Sequence, residues 1–174
     1  MWPFQPKPTL TGRYLADRWF RSVVPEGHAS LEAFEAAITA EEIARLPKTM
    51  EKIAMDGVER IYQVRRVELE PDRSALVFLD QLLDAEMLHK LTLEQDPTHS
   101  RNLLRVVGTE FGCIVGEIYI RAGKGEWDLR RAPNHWRSCL RLRNGERYDP
   151  FLAVLRQLSD EREEGALASA FDAA

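Results

Sequence analysis

Residues 102–120 read NLLRVVGTEFGCIVGEIYI and place Gly108, Gly112 and Gly116 four residues apart. Residues four apart share one face of an α-helix, so the three glycines form a bare stripe. Each glycine inside a helix costs about 0.8–1 kcal/mol relative to alanine, and three together cost about 2–3 kcal/mol. The spacing therefore predicts a long helix against which a strand or another helix packs closely. A ligand approaching the bare backbone is the alternative.

The sequence that follows this helix changes to a two-residue period and predicts a small antiparallel sheet. A first strand contains Trp127, and alternation over 136–142 predicts a second. Asn144-Gly145 is typical of a two-residue hairpin turn, with a short third strand over 146–148. Asp149-Pro150 has the chemistry of an N-cap followed by the first residue of a final helix.

The segment that precedes the glycine helix predicts several further helices. A basic amphipathic helix covers about 9–24, and it either docks on the body or binds a partner or a membrane surface. A second helix covers about 31–45, or Thr39 restarts a further short helix within this stretch. Pro47 is expected to break the pattern. Helical spacing resumes after Pro47, and the stretch 64–69 could be a strand. Together these elements predict an α+β fold, in which the glycine helix packs on a three-stranded antiparallel sheet between N-terminal helices and a C-terminal helix.

The composition limits the class of protein. The chain has 174 residues, 44% of them hydrophobic and 30% charged, with a net charge of −4. These values are typical of a soluble globular domain without a strong pull toward nucleic acid or acidic lipid. Two cysteines and no long apolar run predict a cytoplasmic protein without a disulfide framework or a membrane span. We expect an N-terminal arm and helix over 1–29, a single domain over 30–160 and a flexible tail over 161–174.

The region from about residue 101 to 158 resembles a group of short bacterial α+β domains of unknown function. The resemblance is carried by a Gly-x-x-x-Gly-Glu helix end at 112–117, a Gly-x-Trp strand at 125–127, the Asn144-Gly145 hairpin and Pro150-Phe151. It covers about a third of the chain. Because that group has no established activity, the resemblance implies the fold and a bacterial origin, and no function.

Motifs that carry catalytic or cofactor chemistry are missing from the sequence. The four histidines are scattered without metal-ligand spacing, and no Gly-x-Ser-x-Gly or phosphate-binding glycine loop occurs. Cys113 lies in apolar surroundings that suppress thiol reactivity. Glu117 either pairs with Arg121 one turn later or serves as an acid near Trp127. We therefore predict no catalytic residue, no metal and no cofactor.

The distribution of charge is the most informative functional feature. Residues 121–147 contain eight basic side chains and three acidic ones, whereas the chain as a whole is acidic. Alternation along a strand predicts that Arg137, Arg141 and Arg143 project from one sheet face, edged by aromatic rings. The residues predicted to bind a partner are Trp127, Arg130, Arg137, Arg141 and Arg143. The structural alternative is a solvated face whose arginines pair with the acidic N-terminal helices.

These observations favour a non-catalytic module that binds another protein, in an immunity or antitoxin-like, adaptor or regulatory role. The mechanism would be steric blocking with electrostatic steering. One alternative is an enzyme or small-ligand-binding domain with a pocket between the glycine helix and the sheet, lined by Glu117, Trp127 and His135. Another is single-stranded nucleic-acid binding through the arginine and aromatic sheet face, which the net negative charge opposes. The sequence leaves the oligomeric state open.

Overall fold

The computed structural model of the chain describes residues 11–23, 29–84, 87, 103–129 and 138–174. The helices within these ranges are α1 (Gly12–Val23), α2 (Leu31–Ala37), α3 (Ala40–Arg65), α4 (Arg73–Leu82), α5 (Leu103–Arg121), α6 (Pro150–Gln157) and α7 (Ala166–Ala173). The strands are β1 (Gly125–Asp128), β2 (Cys139–Leu142) and β3 (Arg147–Tyr148), which form one antiparallel sheet in the order β1-β2-β3. The predicted α+β fold is confirmed.

The glycine-bearing helix α5 is the centre of the core. Each glycine of its stripe faces one aromatic ring: Gly108 faces Trp19, Gly112 faces Phe151 and Gly116 faces Trp127. The rings come from α1, α6 and β1. They stack on one another, with centroids 5.3 Å apart for Trp19 and Phe151 and 6.1 Å apart for Phe151 and Trp127. The close packing predicted from the glycine spacing is therefore made by three stacked rings.

Helix α1 docks on the body of the protein. Leu15 and Trp19 are buried, and the indole Nε1–H of Trp19 donates a hydrogen bond to Thr109 Oγ1 at 3.2 Å. The docking alternative for the basic amphipathic segment is thus the one observed for this helix. The remaining parts of the predicted arm, 1–10 and 24–28, lie outside the described residues.

Helix α3 confirms the alternative that a helix restarts at Thr39, but it differs from the expectation that Pro47 breaks the pattern. Thr39 starts it with a capping box, because Thr39 Oγ1 accepts from the Glu42 amide at 3.2 Å and Glu42 accepts from the Thr39 amide at 2.7 Å. Pro47 does not end the helix. Buried Met50 and Ala54 lie beyond it, and we attribute the continuation to their packing, which offsets the hydrogen bond that proline removes. Residues 66–70 form no strand.

The C-terminal segment forms helix α7, which differs from the flexible tail predicted for 161–174. Asp80 of α4 is 4% exposed, and its carboxylate accepts from the amides of Leu167 and Ala168 at 3.2 Å each. The Gln157 side chain donates to the same carboxylate at 2.5 Å. A carboxylate at a helix N-terminus satisfies free amides and complements the helix dipole. This cap comes from 87 positions away in the chain, so no local pattern announces it.

Candidate functional site

The predicted cationic sheet face is partly neutralised by acidic residues of the sheet itself. Arg141 lies opposite Glu126 in the β1–β2 register and forms an ion pair with it. Arg147 on β3 forms an ion pair with buried Asp128 at 2.5 Å. These two arginines therefore pair within the sheet, and among the described residues neither has an ion pair to the acidic N-terminal helices. Arg130, Arg137 and His135 lie outside the described residues.

Two other predicted residues, Trp127 and Arg143, have different environments. Trp127 is half-buried because its ring covers Gly116, and its Nε1–H donates to Glu117 Oε1 at 3.5 Å. Arg143 is exposed, and its amide bonds the carbonyl of Lys124 at 3.0 Å. It forms no ion pair with the residues that the structure describes. The structure therefore makes Trp127 a packing residue and leaves Arg143 as an available surface cation.

A groove lies on the side of α5 opposite the glycine stripe. At 100° per residue, Glu110, Ile114, Glu117 and Arg121 point roughly half a turn away from the three glycines. Their side faces α3, where Gly57 allows close approach to Ile114. We call this cavity the α3–α5 groove. It is lined by Ala54, Met55, Val58, Glu59, Leu69, Glu70, Pro71, Ala75, Ile114, Glu117, Ile118 and Arg121, and its volume is about 280 Å³.

Glu117 is the buried acid of this groove, being only 9% exposed. Its two polar contacts are long: 3.5 Å from Trp127 Nε1 and 4.0 Å from Arg121 Nε. Charge-assisted hydrogen bonds are ordinarily about 2.7–2.9 Å. Burial raises the pKa of Glu117, and the indole hydrogen bond and the arginine only partly oppose that shift. The predicted pairing of Glu117 with Arg121 is therefore present as a long ion pair, and the described residues bring no cation closer to this buried carboxylate.

Two other reactive or ionisable groups on α5, Glu110 and Cys113, do not line the groove. Glu110 accepts from Arg60 at 3.0 Å, and burial raises its pKa as well. Cys113 is fully buried, and burial raises the pKa of its thiol far above the usual range. A protonated, inaccessible thiol is not a nucleophile. The described residues also contain no cluster of three or more histidine, cysteine, aspartate or glutamate side chains suited to a metal ion.

Sequence reasoning named Glu117 but not the groove that it lines. The predicted pocket lay between the glycine helix and the sheet, where the Trp127 ring occupies the space over Gly116. The observed cavity opens instead toward α3 and the segment that follows it. The sequence features that could have indicated the groove are the small residue Gly57 in α3 and the apolar residues Leu69 and Pro71 just after that helix.

Comparison with known proteins gives no further guide to the site. No protein-family model matches the chain, and no significant similarity was found to curated proteins or solved structures. The resemblance of 101–158 to short bacterial domains therefore stays a prediction. Within the described part of the chain, no helix has both the length and the apolarity needed to cross a membrane.

Proposed function

We propose that the protein is a non-catalytic module that binds another protein, and that the partner inserts apolar side chains into the α3–α5 groove. The observation that carries the proposal is an open, apolar cavity with exposed large side chains beside it. Its volume of about 280 Å³ is at the lower limit of the roughly 300–1,000 Å³ typical of small-molecule pockets. That size suits one or two inserted side chains better than a cofactor.

The rim of the groove has the composition of a protein interface. Met55 lines it and is 58% exposed, and Tyr62, two helical turns later on the same face of α3, is 44% exposed. Methionine and tyrosine are enriched at interfaces, where a flexible thioether and an amphipathic ring adapt to a partner. Val64 is 72% exposed on the opposite side of the same helix, which makes it a matched control.

The test uses a partner captured with the tagged protein from source-cell lysate and then purified. We expect the double variant Met55→Glu with Tyr62→Glu to raise the dissociation constant about tenfold or more, since a loss of about 1.4 kcal/mol in binding free energy is tenfold and the variant places two charges in the proposed interface. Val64→Glu should leave it within about twofold. Equal affinity for all these proteins would refute the groove as the interface.

The basic, aromatic-edged sheet face remains a second candidate surface, for an acidic partner. Exposed Arg143 favours it, because this cation has no ion pair to the described residues. Two of its other cations, Arg141 and Arg147, already have carboxylate partners, so less of its charge is available to steer association. Loss of binding in Arg141→Glu with Arg143→Glu, but not in the Met55 and Tyr62 variant, would select the sheet face.

A further inference from the structure

We propose that the α3–α5 groove contains an ammonium-binding site centred on Glu117, which receives a lysine side chain of the partner. This inference rests on the proposed function and names the chemistry that the partner must present. It is carried by the Glu117 carboxylate, which lines the cavity and whose donor and cation among the described residues stand at 3.5 and 4.0 Å.

Other buried carboxylates in the described part of the chain have at least one donor at 3.0 Å or closer, although Glu110 Oε2 has no hydrogen-bond partner there. Asp80 accepts from a side-chain amide at 2.5 Å and from two backbone amides, and Asp128 pairs with Arg147 at 2.5 Å. To the residues that the structure describes, Glu117 has polar contacts at 3.5 and 4.0 Å and none shorter. A buried carboxylate without such partners is costly, so a cation delivered by a ligand gains affinity there.

The charge of the lining also favours a cation. Glu59 and Glu70 line the groove together with Glu117, whereas Arg121 is the one basic side chain among the lining residues that the structure describes. Glu59 accepts from the side-chain amide of Gln63 at 2.9 Å, which leaves its negative charge in place. The described lining of the groove therefore has more negative than positive charge.

The walls favour an ammonium on an apolar stem. Val58, Leu69 and Ile114 line the groove together with Glu117. A lysine buries its aliphatic stem along apolar surface and carries a compact charge at the end. Space is sufficient, since an apolar cavity of about 150 Å³ already holds benzene and this one has about 280 Å³.

The experiment titrates the full chain with phenethylamine and, separately, with phenethyl alcohol, which keeps the ring but not the charge. Binding is followed by amide and indole chemical shifts in NMR, where the Trp127 indole reports directly on Glu117. We expect the amine to bind at least tenfold more tightly than the alcohol. Glu117→Gln should abolish this preference. Glu110→Gln is the matched control, because Glu110 lies two turns earlier on α5, is also desolvated, and does not line the groove.

Equal binding of amine and alcohol to the wild-type protein, or no binding of either, would overturn the ammonium site without requiring any variant. A preference that persists in Glu117→Gln, or shifts centred outside the groove, would also overturn it. The proposed function fails separately, when the Met55 and Tyr62 variant binds the purified partner as the wild type does. If the partner still binds through the groove but the amine is not preferred, the proposed function is supported and the ammonium site is refuted.

Discussion

Replacing Gly112 by alanine tests whether the aromatic stack requires the glycine stripe. A β-carbon at this position would lie 2.8 Å from Cε1 and 2.9 Å from Cγ of Phe151, and closer still to Cδ1. Alanine gains about 0.8–1 kcal/mol in helix propensity, whereas overpacking a core costs about 1–3 kcal/mol or more. The sign of the change depends on whether the ring can move.

The surroundings of Phe151 hold its ring in place. It is 1% exposed and is stacked between Trp19 and Trp127. Its backbone lies in the first turn of α6, which Asp149 caps through a 2.9 Å hydrogen bond from the Leu152 amide. We therefore assign the upper part of the overpacking cost. The net expectation for Gly112→Ala is a loss of about 2 kcal/mol in the free energy of unfolding.

Urea unfolding followed by circular dichroism measures this change, with the denaturant slope checked for constancy. The control is Gly57→Ala, where the nearest atoms, Ile114 Cδ1 at 3.1 Å and Glu110 Cβ at 3.2 Å, lie farther away than the Phe151 ring does from Gly112. A shift of a few tenths of an ångström relieves these contacts, so stability should stay within about 1 kcal/mol of wild type. Phe151→Leu should cost less in the Gly112→Ala background than in the wild type, with a coupling of about 1 kcal/mol or more. A Gly112→Ala protein stabilised by the full helix-propensity gain would refute the reasoning.

Three further predictions follow from the buried polar groups. Asp80→Asn should lower the free energy of unfolding by about 1–3 kcal/mol and speed amide exchange in α7, because the helix loses its carboxylate cap; unchanged exchange would contradict that role. Burial raises the pKa of Glu117 and Glu110 above the ordinary 4.5. Their contribution to stability is therefore present below pH 4.5 and lost as pH rises through the raised values. When the free energy of unfolding is measured in urea at several pH values, Glu117→Gln should reduce its decrease with rising pH. A decrease as steep as that of the wild type would contradict the raised pKa of Glu117. In a Cys139→Ser variant, Cys113 should react with Ellman's reagent only after denaturation, since it is fully buried; labelling of the native protein would disprove this.

Local chemistry explains why much of the fold could be predicted from the sequence. The Asn144-Gly145 turn joins β2 to β3, with Gly145 at a φ of 87°, and Asp149 caps α6 as its position before Pro150 predicts. The glycine spacing located the central helix because residues four apart must share a face. Each of these signals lies within a few residues of the structure that it determines.

Long-range packing explains why the rest was not predicted. Pro47 is tolerated inside α3 because buried residues follow it, and α7 forms on a cap that Asp80 supplies from another helix. The groove is of the same kind. Glu117 was identified as a candidate acid from its position beside the sheet, but the partners that define its site, Val58 and Leu69, come from a distant part of the chain. No periodicity on α5 alone specifies which helix covers its second face.

The two faces of α5 are connected at one residue. Trp127 lies over Gly116 on the glycine side, and its indole Nε1–H is the hydrogen-bond donor nearest to Glu117 on the groove side. A side chain larger than hydrogen at 116 would displace the ring and with it that donor. The glycine stripe therefore does more than admit the aromatic stack. Because the stripe fixes the Trp127 ring, it also sets the distance between the Glu117 carboxylate and the indole donor. In the proposed site, that distance determines how strongly Glu117 attracts a cation from the partner.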